Sequence, residues 1–259
     1  MEQSKIKEIV LEHYGSRARR AAGTDDVVPL EAACCDDSCY VSEPMTDEER
    51  SLIKGLYSQN EVAGLPQAAL DAAAGCGNPM AIAELKAGEV VLDLGSGGGI
   101  DCFLAAKQVG PEGKVIGVDM TPDMVDLARK NAADLGATNV EVHLGEIESL
   151  PVPDASVDTI ISNCVVNLST NKPAVFAEVG RVLRSGGRFR VSDIVWTKEP
   201  PADAAATEDW AGCIAGALPL QEFLDGLSNA GLVNARAGSV RYLDEERGLA
   251  SALISAEKP

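Results

Sequence analysis

The chain has 259 residues, of which 46% are hydrophobic, and a formal net charge of −18. This length and hydrophobic content suit a large domain with a packed core and argue against global disorder. The negative charge argues against a nucleic-acid partner, because phosphate binding needs a basic surface. No apolar run approaches the ~20 residues that cross a bilayer, and the N-terminus lacks the apolar core of a signal peptide. We therefore expect a cytoplasmic protein with no membrane partner.

Residues 1–85 are expected to form a helical and loop extension. Apolar residues recur at helical spacing along one face of segment 6–20, which predicts a helix there. Segment 23–45 is rich in cysteine, aspartate and serine and has the composition of a loop. A capping-box pattern that begins at Thr46 predicts a helix that ends near Tyr57.

From residue 86 to residue 259, predicted strands and helices alternate. The predicted strands are 89–94, 114–119, 140–144, 157–162, 187–195, 232–237 and 249–255. The predicted helices are 100–109, 122–135, 172–183, 204–215 and 220–230. Such alternation implies right-handed crossovers and an α/β fold with a mostly parallel sheet. The last two strands are expected to form a hairpin at one edge, and residues 198–218 a helical insertion over the carboxyl edge.

The most informative stretch joins the first predicted strand to its helix. The strand is an apolar run with one acid, Asp93, and four glycines follow it within five positions. Glycines at the carboxyl end of a buried parallel strand let the backbone pass close to a ligand. A dinucleotide fingerprint places its third glycine five positions after the first, whereas Gly95, Gly97 and Gly99 alternate. Because an acid beside the ligand would repel a phosphate, this turn predicts a cofactor with a positive end and no phosphate.

Residues at the ends of the following strands extend the predicted cofactor site. Asp119 ends the second strand ~20 residues past the glycine turn, where an acid can accept hydrogen bonds from both ribose hydroxyls. Glu146 and Ile147 follow the third strand, where an adenine edge would meet them. The fourth strand delivers Asn163 and Cys164 to the carboxyl edge, where open parallel sheets bind ligands. The predicted cofactor-binding set is Asp93, Gly95, Ser96, Gly97, Gly99, Asp119, Met120, Glu146, Ile147 and Asn163.

These motifs resemble those of class I S-adenosylmethionine-dependent methyltransferases. The resemblance rests on DLGSGGG, GVDMTPDM, LGEIESLP and RVLRSGGRF, and it covers about residues 89–195. It implies a Rossmann-like fold with a seven-stranded, mostly parallel sheet and helices on both faces. It also implies that S-adenosylmethionine is the cofactor.

The cysteines narrow the resemblance to arsenite methyltransferases. Among the seven cysteines, Cys76, Cys164 and Cys213 lie in the segments AGCGNP, ISNCVVNL and AGCIAGA, which are similar to that family. The resemblance implies that these three thiols are catalytic and hold As(III). Either Cys34 or Cys35 matches a fourth catalytic cysteine, on a loop that could exchange ligands or form a disulfide. As(III) is soft and prefers thiolates, and arsenous acid is neutral, so an acidic surface does not repel it.

The remaining cysteines are interpreted differently. Cys102, on the helix after the glycine turn, is expected to be a small core residue, and Cys39 is expected to be incidental. Many relatives carry an aromatic residue just before the Gly-Cys-Gly step, where this chain has Ala74. This departure could alter how the sulfonium or the arsenic is enclosed.

The resemblance also implies a mechanism and partners. The arsenic lone pair would attack the sulfonium methyl directly, so catalysis would depend on alignment rather than on a general base. Repeated methylation would need a thiol reductant, thioredoxin or glutathione, and thioredoxin would be a protein partner. We expect the chain to act as a monomer.

Two alternatives stay open at the level of sequence. The first is a small-molecule methyltransferase of the quinone or sterol type, which shares the segment GVDMTPDMVDLA but does not need three cysteines at its site. The second is a non-catalytic, thiol-based metalloid-binding protein, against which the intact cofactor motif argues. An amino-group methyltransferase acting on bases would carry a Pro-Pro-aromatic step after the fourth strand, where this chain has Cys164-Val-Val.

Overall fold

The structure is a computed structural model that describes residues 3–24, 56–202, 204, 210 and 212–259. Cys34, Cys35 and Cys39, the predicted loop from residue 25 onward and most of the helix predicted from Thr46 lie outside the described residues. The N-terminal helix is present and is longer than predicted. Its bounds and those of the next three helices are α1 Gln3–Ala22, α2 Gln59–Val62, α3 Gln67–Ala72 and α4 Met80–Ala83.

Strands and helices alternate from Val90 onward, as the sequence predicts. The strands are β1 Val90–Leu94, β2 Lys114–Asp119, β3 Val140–Leu144, β4 Val157–Asn163, β5 Leu183–Trp196, β6 Leu218–Pro219, β7 Val233–Asp244 and β8 Leu249–Glu257. The helices between them are α5 Ile100–Val109, α6 Pro122–Leu135, α7 Lys172–Val182 and α8 Leu220–Asn229, with a 3-10 turn at Val166–Leu168.

These strands form one sheet in the order β3-β2-β1-β4-β5-β8-β7, and the two-residue β6 pairs with β5. The first five strands are parallel, and β8 runs antiparallel to both β5 and β7. The predicted α/β fold, with its seven-stranded sheet and edge hairpin, is therefore confirmed, with β6 as a short addition. Helices cover both sheet faces: Leu92 and Leu94 of β1 share a core cluster with residues of α7 and α8, and Val91 shares another with residues of α5.

The strand β5 is longer than its predicted range of 187–195. It begins directly after α7 and keeps an unbroken register with β8 from Arg188 to Trp196. The added N-terminal end pairs through Leu183 with Val157 of β4, a long-range contact that the apolar pattern alone does not indicate. None of the described helices combines the length and apolar character needed to span a membrane.

The helix predicted over 204–215 is wrong for the part of this segment that the structure describes. Residues 212–216 form turns, and Cys213 has a positive φ of 65°. A Cβ built on Gly216 would lie 2.0 Å from the carbonyl oxygen of Asn167. The segment thus folds back tightly against the 3-10 turn, and this close backbone approach overrides the local alanine content.

Candidate active site

A cavity with about 1060 Å³ of empty space, its open mouth included, lies at the carboxyl edge of the parallel strands. Its walls come from the glycine turn after β1, the residues that follow β2, β3 and β4, and one side of α1. This is where open parallel sheets bind their ligands. The sheet therefore brings together chain segments that are far apart in sequence.

The glycine turn has a backbone that other residues would adopt only with strain. Gly95, Gly97 and Gly99 have φ angles of 69°, 50° and 95°. A Cβ on Gly95 would lie 2.3 Å from a methyl carbon of Val165, and one on Gly99 would lie 2.6 Å from the ring of Phe103. The glycines are thus required by the left-handed conformation and by close packing.

Asp119 ties the glycine turn to the end of β2. One carboxylate oxygen accepts a hydrogen bond from the Gly97 amide at 2.9 Å, and the other accepts one from the Thr121 amide at 2.8 Å. Burial raises the pKa of Asp119 above its ordinary value, and these two hydrogen bonds oppose that rise. Asp119 lines the cavity beside Met120. Its contact with a ribose stays a prediction.

Two buried carboxyl groups lie behind the turn. Asp93 is 2% exposed, and burial together with the nearby charge of Asp101 raises its pKa well above the usual range. Asp101, which the sequence analysis did not single out, has a pKa raised to about 6 by burial. The hydroxyl of Tyr57 donates to Asp101 at 2.8 Å. Both carboxyl groups line the cavity, and their ionised forms would favour a positively charged ligand.

Asn163 holds the segment that carries Cys76. Its side-chain oxygen accepts hydrogen bonds from the amides of Cys76 at 3.0 Å and Gly77 at 3.3 Å. Its side-chain nitrogen donates to the carbonyl of Gly77 and to the hydroxyl of Tyr57, each at 2.8 Å. Asn163 lines the cavity, and it also fixes the position of the loop before α4.

The thiols of Cys76, Cys164 and Cys213 belong to one buried cluster, with exposures of 9%, 4% and 3%. The Cys213 thiol donates to the carbonyl oxygen of Cys164 at 3.0 Å. Hydrogen bonds with Cys213 and Cys76 raise the pKa of the Cys164 thiol well above its usual range, and burial adds to the rise. Cys164 also lines the cavity. The structure therefore brings together three cysteines that are 88 and 49 residues apart in the chain.

Two of these cysteines have backbones that are unusual for residues with a side chain. Cys164 and Cys213 each have a φ of 65°. Such a conformation costs on the order of 1–3 kcal/mol and persists where the surrounding structure imposes it. The Cys164 amide donates to the Ser192 carbonyl at 2.8 Å, which helps to hold the residue at the end of β4.

Two polar residues that the sequence analysis did not identify lie beside the thiols. Asp193 on β5 is 1% exposed, and burial raises its pKa to about 7. Tyr14 on α1 lines the cavity and lies near the Cys213 and Cys164 thiols. Burial raises the pKa of Tyr14 well above its usual value. Only a Ser-Asp pair within an apolar strand could have pointed to Asp193, and no local pattern marks Tyr14.

The other predicted residues occupy varied positions. Ser96 and Ile147 line the cavity, whereas Glu146 is exposed and forms an ion pair with Lys7 at 2.7 Å. Gly99 caps α5. Cys102 is fully buried in the core, as expected, and its thiol donates to Asp93 at 3.3 Å.

A family profile described as a methyltransferase domain matches residues 85–240. The chain belongs to this methyltransferase family. An arsenite methyltransferase of Halobacterium salinarum is 42% identical over 97% of this chain and 65% of its own length. The human arsenite methyltransferase is 37% identical over 51% of this chain and 38% of its own length. The chain therefore spans less than two thirds of these curated relatives.

A solved structure supports the same relationship. The arsenic(III) S-adenosylmethionine methyltransferase of Chlamydomonas reinhardtii has 32% sequence identity and a TM-score of 0.64. The similarity covers 78% of this chain and 73% of that one.

Proposed function

We propose that this protein transfers the methyl group of S-adenosylmethionine to trivalent arsenic held by Cys76, Cys164 and Cys213, and so serves in arsenic detoxification. The observation that carries the proposal is the convergence of these three thiols beside the cavity that the glycine turn and Asp119 line. The similarity to arsenite methyltransferases over 97% of the chain supports it.

The chemistry of the thiol cluster suits trivalent arsenic. Arsenous acid is neutral, and each thiol that displaces a hydroxyl forms one As–S bond and releases one water. Three such exchanges give a neutral pyramidal product with a lone pair. Because the thiols are buried and their product is uncharged, no counter-ion is required. The strained backbones of Cys164 and Cys213 are consistent with a pre-organised binding site.

The cavity suits S-adenosylmethionine. When bound, this cofactor supplies a sulfonium methyl group and a positive charge. Asp93, Asp101 and Asp119 line the cavity, so the protein surrounds the ligand with acids that favour a cation and disfavour a phosphate. Gly95 and Gly97 line the cavity without side chains, so the backbone of the turn could approach the ligand closely. The walls would exclude water and align the methyl group with the arsenic lone pair.

Several finer points belong to the same proposal. Methylation oxidises arsenic, so a second round needs a two-electron reductant, for which we propose a dithiol protein such as thioredoxin or the thiol glutathione. Cys34 or Cys35 would supply a fourth thiol. Residues 1–85 would serve as the extension that carries these cysteines and Cys76, and residues 86–259 as the methyltransferase domain. The chain would act as a monomer.

The test is direct. Protein, labelled S-adenosylmethionine, thiol and arsenite are incubated, and labelled methylated arsenic is separated and counted. The expected result is turnover that depends on arsenite and is lost in Cys164→Ser but kept in the matched control Cys39→Ser. Tight As(III) binding without turnover would instead support a metalloid-binding protein, and methylation of a quinone without arsenite would support the small-molecule alternative.

A further inference from the structure

One group at the thiol cluster is not needed as a ligand for trivalent arsenic. A carboxylate oxygen of Asp193 and the sulfurs of Cys76 and Cys164 all lie within 4.8 Å of one another. Arsenic(III) is satisfied by three thiolates and needs no oxygen ligand from the protein. The presence of a buried carboxyl group among these sulfurs therefore calls for another explanation.

The carboxyl group of Asp193 is buried and only half satisfied. One oxygen accepts a hydrogen bond from the Ile194 amide at 2.9 Å, while the other has no hydrogen-bond partner among the described residues. The amides of Val166 and Asn167 lie near enough to oppose the effect of burial on its pKa, but neither reaches that oxygen with hydrogen-bond geometry. An unpaired buried oxygen costs free energy, which a ligand would recover.

We propose that Cys76, Cys164 and Asp193 form a binding site for a divalent thiophilic cation such as Zn²⁺ or Cd²⁺. Two sulfurs and one carboxylate oxygen are an accepted ligand set for zinc, which takes Cys, His and Asp or Glu in tetrahedral sites. The fourth position is left for solvent or for Cys213, whose thiol lies beside Cys164.

The distances allow such a site with small adjustments. Around a tetrahedral zinc ion, with Zn–S of about 2.3 Å and Zn–O of about 2.0–2.2 Å, the donors are separated by roughly 3.5–3.8 Å. The three donors already lie within 4.8 Å of one another. Side-chain movements of about 1 Å would bring the three donor atoms to these distances. The Ile194 amide would then hold the Asp193 carboxylate in orientation, as hydrogen bonds to metal ligands commonly do.

Arsenous acid and a divalent cation differ in charge, and Asp193 distinguishes between them. Arsenous acid brings no charge, so its thiol complex is neutral without Asp193. A divalent cation displaces two thiol protons to solvent, and two thiolates with one carboxylate give the site three negative charges against two positive. Lys172 on α7 lies close enough to favour the ionised form of Asp193, and its ammonium group donates to the Ser169 carbonyl at 2.9 Å. Asp193 therefore favours a cation over a neutral metalloid.

As a consequence, trivalent arsenic and a divalent cation would compete for the thiol cluster. Both need Cys76 and Cys164, so a bound divalent cation would exclude arsenic from the thiol cluster. The cation site itself depends only on its three donors, whereas inhibition of arsenic methylation rests on the proposed function.

The test measures Cd²⁺ binding to the full-length chain by its sulfur-to-metal absorbance, in a background with serine at positions 34, 35 and 39 so that other thiols add little signal. We expect one Cd²⁺ per chain. Asp193→Asn should weaken Cd²⁺ binding at least about tenfold, and by at least about tenfold more than it weakens As(III) binding. Asp134→Asn, which removes an exposed carboxylate from α6, is the matched control and should leave Cd²⁺ affinity unchanged.

Equal affinities of the folded Asp193→Asn and Asp134→Asn variants for Cd²⁺ would overturn the proposal, as would equal losses for Cd²⁺ and As(III). If Asp193→Asn does not fold, Asp193→Ser takes its place with the same control and the same expected loss of Cd²⁺ affinity, and an all-sulfur shell in X-ray absorption of the Zn²⁺-loaded parent would reject the site. Cadmium binding that depends on Asp193, together with a wild-type chain that does not methylate arsenite, would reject the proposed function and keep this site.

Discussion

The glycine turn and the thiol cluster face the same cavity but are built in opposite ways. The turn is contiguous: Asp93 to Gly99 form one segment whose conformation follows from its own glycines. The cluster is composite, because its cysteines come from a loop before α4, the end of β4 and a turn before β6. Under the proposed function, cofactor recognition would therefore depend on local backbone geometry, and substrate recognition on how the sheet gathers distant segments.

The largest expected effect tests whether the two regions are separable. Cys164→Ser should reduce arsenite methylation at least about 100-fold, because a hydroxyl is a poor ligand for a soft atom. Cofactor affinity, measured by calorimetry, should change less than about twofold. A parallel loss of both would show that the thiol cluster and the cofactor cavity act as one structural unit.

The second prediction uses the raised pKa of Asp101. Its folded-state value of about 6 lies above the ordinary 3.8, so this group contributes stability that is complete below about pH 4 and is lost as the pH rises through 6. Asp101→Asn removes this dependence. Denaturant unfolding should show that the free energy of unfolding of the wild type falls, relative to the variant, by up to about 3 kcal/mol between pH 4 and pH 7. A constant difference across this range would contradict the raised pKa.

The third prediction concerns the turn itself. Gly95→Ala places a methyl group against Val165 at a φ of 69°. We expect a loss of about 2 kcal/mol in the free energy of unfolding, from strain and overlap together. Gly136→Ala is a suitable comparison, because it also has a positive φ but its Cβ would meet nothing within 4 Å. If both variants lost the same stability, contact with Val165 would not matter.

The fourth prediction tests the ribose contact proposed for Asp119. Asp119→Ala should weaken cofactor binding by ~1–3 kcal/mol, the scale of hydrogen bonds to charged groups. Isothermal titration measures this change, and Glu112→Ala, which alters an exposed acid outside the cavity, provides the control. Unchanged affinity in Asp119→Ala would leave that residue with only its hydrogen bonds to Gly97 and Thr121.

The smallest expected effect concerns the link between α1 and the thiols. Tyr14→Phe removes the hydroxyl that lies near the Cys213 thiol and keeps the ring in the cavity wall. We expect As(III) affinity to fall by about 0.5–1.5 kcal/mol, with cofactor affinity within about twofold of the wild type. A larger loss of cofactor affinity than of As(III) affinity would place Tyr14 with the turn rather than with the cluster.

Patterns that act over a few residues were sufficient for most of the fold. The bounds of β2, β3, α5 and α6 agree with the predicted ranges because apolar periodicity and glycine or proline boundaries mark them. The helix predicted around Cys213 failed where Gly216 packs against the carbonyl of Asn167. That contact joins residues 49 positions apart, and no local propensity contains it.

The sequence by itself determined the alternating fold, the glycine turn and the identity of the thiols, because each of these depends on consecutive residues or on residue type. The tertiary structure decided that Cys76, Cys164 and Cys213 meet, and that Asp193 and Tyr14 lie beside them. The physical reason is that proximity between distant segments follows from strand order and register, which depend on the packing of the whole sheet rather than on any single segment.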